Sequence, residues 1–361
     1  MTGLSLAANP RHTRTGMRVG PVGVLLRRRA LVASLLVLVV LAALILVSLV
    51  SGTLTVPLDR IWATLTGHGT AQERLVVVDR RLVRAAAGTL IGFALGMAGA
   101  LTQSITRNPI ATPDILGVTS GASAFAVLVV VTPGAFNALA GGSAASLLPL
   151  AAAVGGLLTT AVVLALAWRG GFDSLRLILV GIGVNAVALA AVDWMLTRTT
   201  IEDAAVATRW LVGSLSAVGA GDLAWLAPVC GLGLLVALVL TRDLGAIRLG
   251  PEVSSALGTS TARVSAVSLF VAVVLASVAT AAAGPIGFVA FVAPQAAMRL
   301  FRTAGPPPLA AGLTGAALLV AADLVGQRLP TPLPVGVVTA VIGAPCLLYL
   351  LISYARRTSA R

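Results

Sequence analysis

Residues 30–50 read ALVASLLVLVVLAALILVSLV, a run of 21 positions with no charge, Pro or Gly, and Arg27-Arg28-Arg29 stands directly before it. At about 1.5 Å of rise per residue, a helix of that length crosses the roughly 30 Å of hydrocarbon in a bilayer. A cleaved secretory signal has an apolar core of only about 7–15 residues and a small-residue cleavage site. The run is therefore predicted to be a retained first membrane helix, with its basic flank in the cytoplasm.

The remainder of the 361 residues repeats this pattern. Hydrophobic side chains make up 58% of the chain and charged ones 10%, with a mean hydropathy of +1.02; soluble domains carry about 25% charged residues. Aromatics are only 4%, so the apolar mass is Ala, Leu, Val and Gly, a palette that lets helix backbones approach closely in lipid. The alternating ten-residue segments and aromatic girdles of a β-barrel do not occur. Further apolar stretches centre on 82–104, 117–132, 147–168, 175–197, 223–241, 264–283, 285–301, 307–325 and 335–354. The expectation is an all-α polytopic membrane protein of about ten transmembrane helices. It divides into a basic cytoplasmic tail at 1–29, one membrane domain at 30–354 and a cytoplasmic tail at 355–361.

All 25 basic residues are Arg, and the net charge of +13 could suggest a nucleic-acid partner. Their distribution points to a membrane instead. With ten spans and both termini in the cytoplasm, 17 of the 25 fall inside: six in the N-terminal tail, then Arg107, Arg169, Arg176, Arg242, Arg248, Arg263, Arg299, Arg302, Arg356, Arg357 and Arg361. That is the positive-inside bias, and no nucleic acid is expected. Cys230 and Cys346 each sit in an apolar run and His12 and His68 are isolated, so neither a disulfide framework nor a metal site is predicted. Glycines at helical spacing (Gly88, Gly92 and Gly96; Gly117 and Gly121) predict close helix packing.

Ionisable residues are scarce inside the spans: Asp193 and Asp323 fall near outer ends. Ion-coupled carriers place carboxylates or His at mid-depth to ligate the coupling ion, so that class is disfavoured. There is no HExxH, GxSxG or paired-carboxylate pattern. No P-loop occurs either, so any ATP is hydrolysed by a separate chain, and no cofactor is expected here.

Three stretches are unusual for membrane helices. Arg81-Leu82-Val83-Arg84 leads through an apolar helix to Gln103, then Thr106-Arg107-Asn108-Pro109 and Pro113-Asp114-Ile115-Leu116-Gly117. Asn-Pro and Pro-Asp favour turns, which predicts an ordered cytoplasmic bend. A polar connection follows at 242–263. Gly284-Pro285-Ile286-Gly287-Phe288-Val289 then leads to Ala293-Pro294-Gln295, with Pro334-Val335-Gly336-Val337-Val338-Thr339 and Gly343-Ala344-Pro345 downstream.

In order and spacing these blocks resemble the cobalamin and ferric-siderophore permease family (FecCD-like), the membrane subunits of type II ABC importers, over about 54–351. Val83 stands where the family has Pro, Gln295 where it has His, and Pro332 where an acidic residue often precedes the last block. The Gln form resembles siderophore-type members more than cobalamin-type ones. The resemblance implies the type II permease fold and a ferric siderophore as cargo, with cobalamin or haem as the alternative. It implies as partners two ATP-binding cassette ATPase subunits holding ATP and Mg, a second permease (a paralogue or itself) and an extracytoplasmic binding (lipo)protein. It places Arg81, Arg84 and Arg328 at binding-protein docking, by charge-assisted pairs with carboxylates. It places Arg248, Glu252, Leu257, Gly258 and Arg263 in the segment that couples to the ATPase, and Asp173, Ser174 and Leu175 at a cytoplasmic gate.

Overall fold

Each predicted apolar stretch is a helix. The computed structural model describes residues 15–19, 22–26, 28–52, 56–140, 144–167 and 174–359. Among the described residues, ten principal helices run in chain order: α1 (Arg28–Val50), α2 (Val83–Thr106), α3 (Val118–Val131), α4 (Leu148–Ala167), α5 (Ser174–Thr197), α6 (Ala220–Val239), α7 (Thr261–Ala283), α8 (Val289–Phe301), α9 (Pro308–Arg328) and α10 (Val335–Ser359). Among the described residues, seven helices are long and apolar enough to cross a membrane, α2 as part of a continuous 36-residue helix over Ala71–Thr106. The apolar stretches of α3, α8 and α10 are shorter. α8 has 13 residues and buries nine of them, including Phe291, Pro294 and Gln295, so protein rather than lipid surrounds it, and there a short span is tolerated.

The N-terminal segment departs from a plain tail. Thr15–Val19 (β1) and Val22–Leu26 (β2) pair antiparallel, with Val19 opposite Val22. The intervening sequence is the turn-favouring Gly20-Pro21.

α2 is the core. Every side chain from Ala94 to Ser104 is buried, as expected for a helix that is apolar all round. Its glycines explain how neighbours reach it. A Cβ on Gly92 would stand 2.8 Å from the Ala316 Cα, one on Gly96 2.9 Å from the Ala311 carbonyl carbon, and one on Gly99 2.6 Å from the Ala290 carbonyl carbon. No side chain fits in those gaps, so α9 and α8 lie backbone-to-backbone on α2. α3 and α4 repeat the arrangement through Gly121, whose Cβ would lie 2.5 Å from the Gly155 carbonyl oxygen. The predicted role of these glycines is thus met at named partners. Hydroxyls join in: Thr314 Oγ1 on α9 donates to the Ala293 carbonyl of α8 at 3.0 Å.

Two breaks punctuate the bundle where the sequence places them. α2 stops at Arg107 in the left-handed region (φ 51°), and the Asn108 side chain accepts from the Ile110 N–H at 3.0 Å. A 3₁₀ turn, Pro113–Leu116, completes the bend, and Gly117 (φ 79°) starts α3. Asn185 of α5 holds the bend by donating to the Asp114 carbonyl at 3.2 Å, while Ser120 Oγ donates to its Oδ1. Between α7 and α8, Gly284 (φ 75°) and Phe288 (φ 67°) turn the chain. There Gly336, heading α10, donates its N–H to the Gly213 carbonyl at 3.2 Å.

These contacts predict a sharp contrast between glycines. Gly99→Ala should destabilise the protein by about 1–3 kcal/mol, the usual cost of overpacking. Gly231→Ala, on α6 with nothing within 4 Å of the added carbon, should be neutral or gain about 0.5–1 kcal/mol of helix propensity. Thermal unfolding in detergent checks both, and equal melting temperatures would contradict the packing account.

Candidate functional site

Charged and polar side chains collect at the two ends of α2. Arg84 and Ser104 are twenty positions apart on that helix, about 30 Å at 1.5 Å per residue.

At the α2 N-terminal end, Leu75–Leu82 is a π-helical stretch that continues into α2 without a break. Wide turns of this kind redirect side chains. Arg81 and Arg84 reach different helices. Arg81 Nη1 donates to the carbonyls of Leu49 (2.6 Å) and Val50 (3.3 Å) at the end of α1. Those belong to the last four carbonyls of a helix, which have no partner of their own, and a cation there also meets the negative end of the helix dipole. Gly52 makes room for it, since a Cβ there would lie 2.9 Å from the guanidinium carbon.

Arg84 grips Asp323 of α9 through two parallel bonds, Nε to Oδ2 at 2.9 Å and Nη2 to Oδ1 at 2.8 Å. Gln327 donates to the same carboxylate at 2.7 Å. Asp323 is 6% exposed and Arg84 26%. Arg328, which is exposed, donates to Ser51 Oγ at 2.8 Å. The three arginines predicted for docking thus share one end of the bundle, and their guanidinium groups bind α1, α2 and α9 together. A Glu at position 84 would confront the buried Asp323.

At the other end lies the polar connection. Thr241–Ile247 and Pro251–Ala256 are short helices, separated and closed by glycines with positive φ, Gly250 (109°) and Gly258 (77°). Glu252 and Arg263 are exposed. Leu249, Val253 and Leu257 stand four residues apart and are 63%, 45% and 63% exposed.

Arg248 behaves differently from its neighbours. Its Nη2 donates to Ser104 Oγ at 3.0 Å and to the Pro306 carbonyl at 2.6 Å. Burial lowers its pKa, and among the described residues it has no carboxylate partner. Beside it, Gln295 Nε2 donates to Gln103 Oε1 at 2.7 Å and to the Pro109 carbonyl at 3.3 Å, and Gln103 Nε2 donates to the Phe291 carbonyl at 3.3 Å. Gln295 therefore joins α8 to α2 and to the bend. These groups border a recess of about 230 Å³ that also takes in Arg107 and Met298.

Of the predicted gate, Asp173 lies outside the described residues, Ser174 is the first residue of α5, and Leu175 is exposed. Sequence reading missed Asp323 as the partner of Arg84, and Ser104 with Pro306 as the partners of Arg248. A lone carboxylate in an apolar helix was the one signal for the first. The second pair left none.

The Arg84–Asp323 pair yields a test. Breaking it with Asp323→Ala should cost about 2 kcal/mol, below the roughly 3–5 kcal/mol of a fully buried pair because Arg84 is partly exposed. The exchange Arg84→Asp with Asp323→Arg should recover part of that loss in thermal unfolding. A double variant no more stable than the worse single one would contradict the pairing.

Comparison with known proteins places these sites in context. Residues 39–353 match the FecCD transport family. The chain is 39% identical over 333 residues to the ferric enterobactin transport system permease protein of Escherichia coli, covering 91% of this chain and 98% of that one. It is 36% identical over 301 residues to the achromobactin transport system permease of Dickeya dadantii (81% and 83% covered). It is 35% identical over 299 residues to the iron(3+)-hydroxamate import system permease of Bacillus subtilis (79% and 86%). Among solved structures, an inward-facing metal-chelate type ABC transporter shares the fold, with a TM-score of 0.77 at 24% identity, covering 88% of this chain and 98% of that one.

Proposed function

This chain belongs to the FecCD transport family, and on that premise we propose that it is the transmembrane permease subunit of an ATP-binding cassette importer that carries ferric-siderophore complexes inward across the cytoplasmic membrane. The observation that carries the reading is the match along almost the whole of an iron–siderophore permease, at 39% identity. The chain makes no covalent change to its cargo. ATP and Mg belong to two partner ATPase subunits, and a second permease, a paralogue or another copy, completes the pathway. The transport step is a switch between discrete states of packed helices.

The coupling segment supports this reading. Exposed Leu249, Val253 and Leu257, with Glu252 beside them, offer an apolar ridge for the ATPase cleft. At the opposite end, Arg81, Arg84 and Arg328 form the face for the binding protein. Asp323 takes Nε and Nη2 of Arg84, so an outside carboxylate meets Nη1 of that residue and, more directly, the exposed Arg328. Both termini are cytoplasmic.

Glu252→Arg and Gly258→Trp should abolish uptake while the protein still reaches the membrane. A bulky residue at Gly258 must also hold a φ of 77°, which side chains rarely adopt. Uptake of iron-labelled enterobactin, hydroxamate and citrate chelates, beside cobalamin, is the measurement. Normal iron uptake by both variants with the ATPase bound would overturn the coupling assignment, and uptake of cobalamin alone would overturn the cargo. Orientation is checked separately: an impermeant maleimide should label Glu202→Cys from outside and leave Thr259→Cys unlabelled. The reverse pattern would invert the topology.

A further inference from the structure

Arg248 stands at the end of the first short helix of the connection, two residues before Gly250 (φ 109°), where the segment turns outward. Its side chain turns inward instead. One nitrogen, Nη2, bridges Ser104 Oγ, two residues from the end of α2, and the Pro306 carbonyl in the link from α8 to α9. That link reads Gly305-Pro306-Pro307-Pro308, and successive prolines fix φ and stiffen it. Gly305 is shaped to the contact, since a Cβ there would stand 2.6 Å from the guanidinium carbon. The residue next to Ser104 is Gln103, which with Gln295 joins α2 to α8 and to the Pro109 carbonyl in the bend. Two sets of hydrogen bonds, joined through the adjacent residues Gln103 and Ser104 of α2, thus connect the outward-facing segment to the bend.

Among the segment's other buried side chains are the apolar Leu244, Ala246 and Ile247, and Ser254 is buried as well. Apolar contacts are non-directional and permit sliding. A guanidinium with fixed donors sets a register.

We propose that Arg248 is a positioning residue for transport: it ties the ATPase-facing segment to the α2–α8–bend unit, so that displacement of the segment moves the bend instead of sliding over it. The proposal rests on the reading that 242–263 meets the ATPase. It assigns Arg248 to a contact within the chain, whereas Glu252 and Leu257 face the partner.

The test uses the whole complex, with its ATPase and binding protein, in lipid nanodiscs and in membrane vesicles. Arg248→Met keeps length and apolar packing but removes the donors. Gly305→Ala keeps Arg248 and displaces its fork. Both complexes should assemble and hydrolyse ATP, while hydrogen–deuterium exchange at 107–117 no longer responds to nucleotide. Uptake of the labelled iron chelates should fall by about tenfold, within the roughly 5–150-fold range of coupling between sites. Arg248→Lys, which retains a charged donor, should recover part of both. A purely structural role would lower stability and hydrolysis together and leave the nucleotide response of the bend in place. An unchanged response of the bend in Arg248→Met, or in Gly305→Ala should the first fail to assemble, overturns the tie. Assembly and uptake unchanged in Glu252→Arg would instead mark failure of the coupling reading itself.

Discussion

Where Gly92 and Gly96 of α2 meet α9 there is no room for side chains, and that contact sets the register of everything attached to either helix. Gly92 meets Gly315 and Ala316, and Gly96 meets Ala311, in antiparallel order. Continued outward, the same order brings Arg84 to Asp323. Continued inward, it brings the end of α2 beside the 302–307 link, where Arg248 bridges Ser104 and Pro306. A slip of one residue along this seam would drive a Cβ into a backbone carbonyl and uncouple both polar clusters. In a membrane, where lipid is as apolar as Leu, such close backbone approach stands in for the hydrophobic effect as the source of helix association.

The polar residues are placed as hydrocarbon requires. A buried ion pair contributes little net stability, because desolvation offsets the attraction, yet losing one partner is costly. The Arg84–Asp323 pair therefore acts as a register pin between two helices that already touch. Arg81 has a comparable effect by capping the open carbonyls of α1. Near the other end of α2, Gln103 and Gln295 satisfy one another and two backbone carbonyls. Where the related family pattern carries His, this chain has an uncharged amide, and the joint between α8 and the bend holds without any titrating group.

This division suits a subunit whose work is conformational. The centre of α2 is tightly packed and its polar contacts lie towards its ends, so on the proposed reading signals from an ATPase on one side and a binding protein on the other arrive at hydrogen-bonded anchors.

Hydropathy alone located every principal helix, because a helix that crosses hydrocarbon or packs inside a membrane bundle is built from a run of apolar residues. The helix breakers Asn108-Pro109 and Gly284-Pro285 were equally legible, since their effects are local. So was the tight packing implied by Gly88, Gly92 and Gly96. The antiparallel pairing of Thr15–Val19 with Val22–Leu26 was not read from the sequence. What no local pattern revealed was the destination of the arginines. Arg84 finds Asp323 across 239 positions and Arg248 finds Ser104 across 144, and each choice depends on which helices the glycines allow to touch. An arginine on a membrane helix is compatible with a headgroup, a partner protein or a neighbouring carboxylate. Only the tertiary arrangement, through distances set by backbone contact between helices remote in sequence, decided among them.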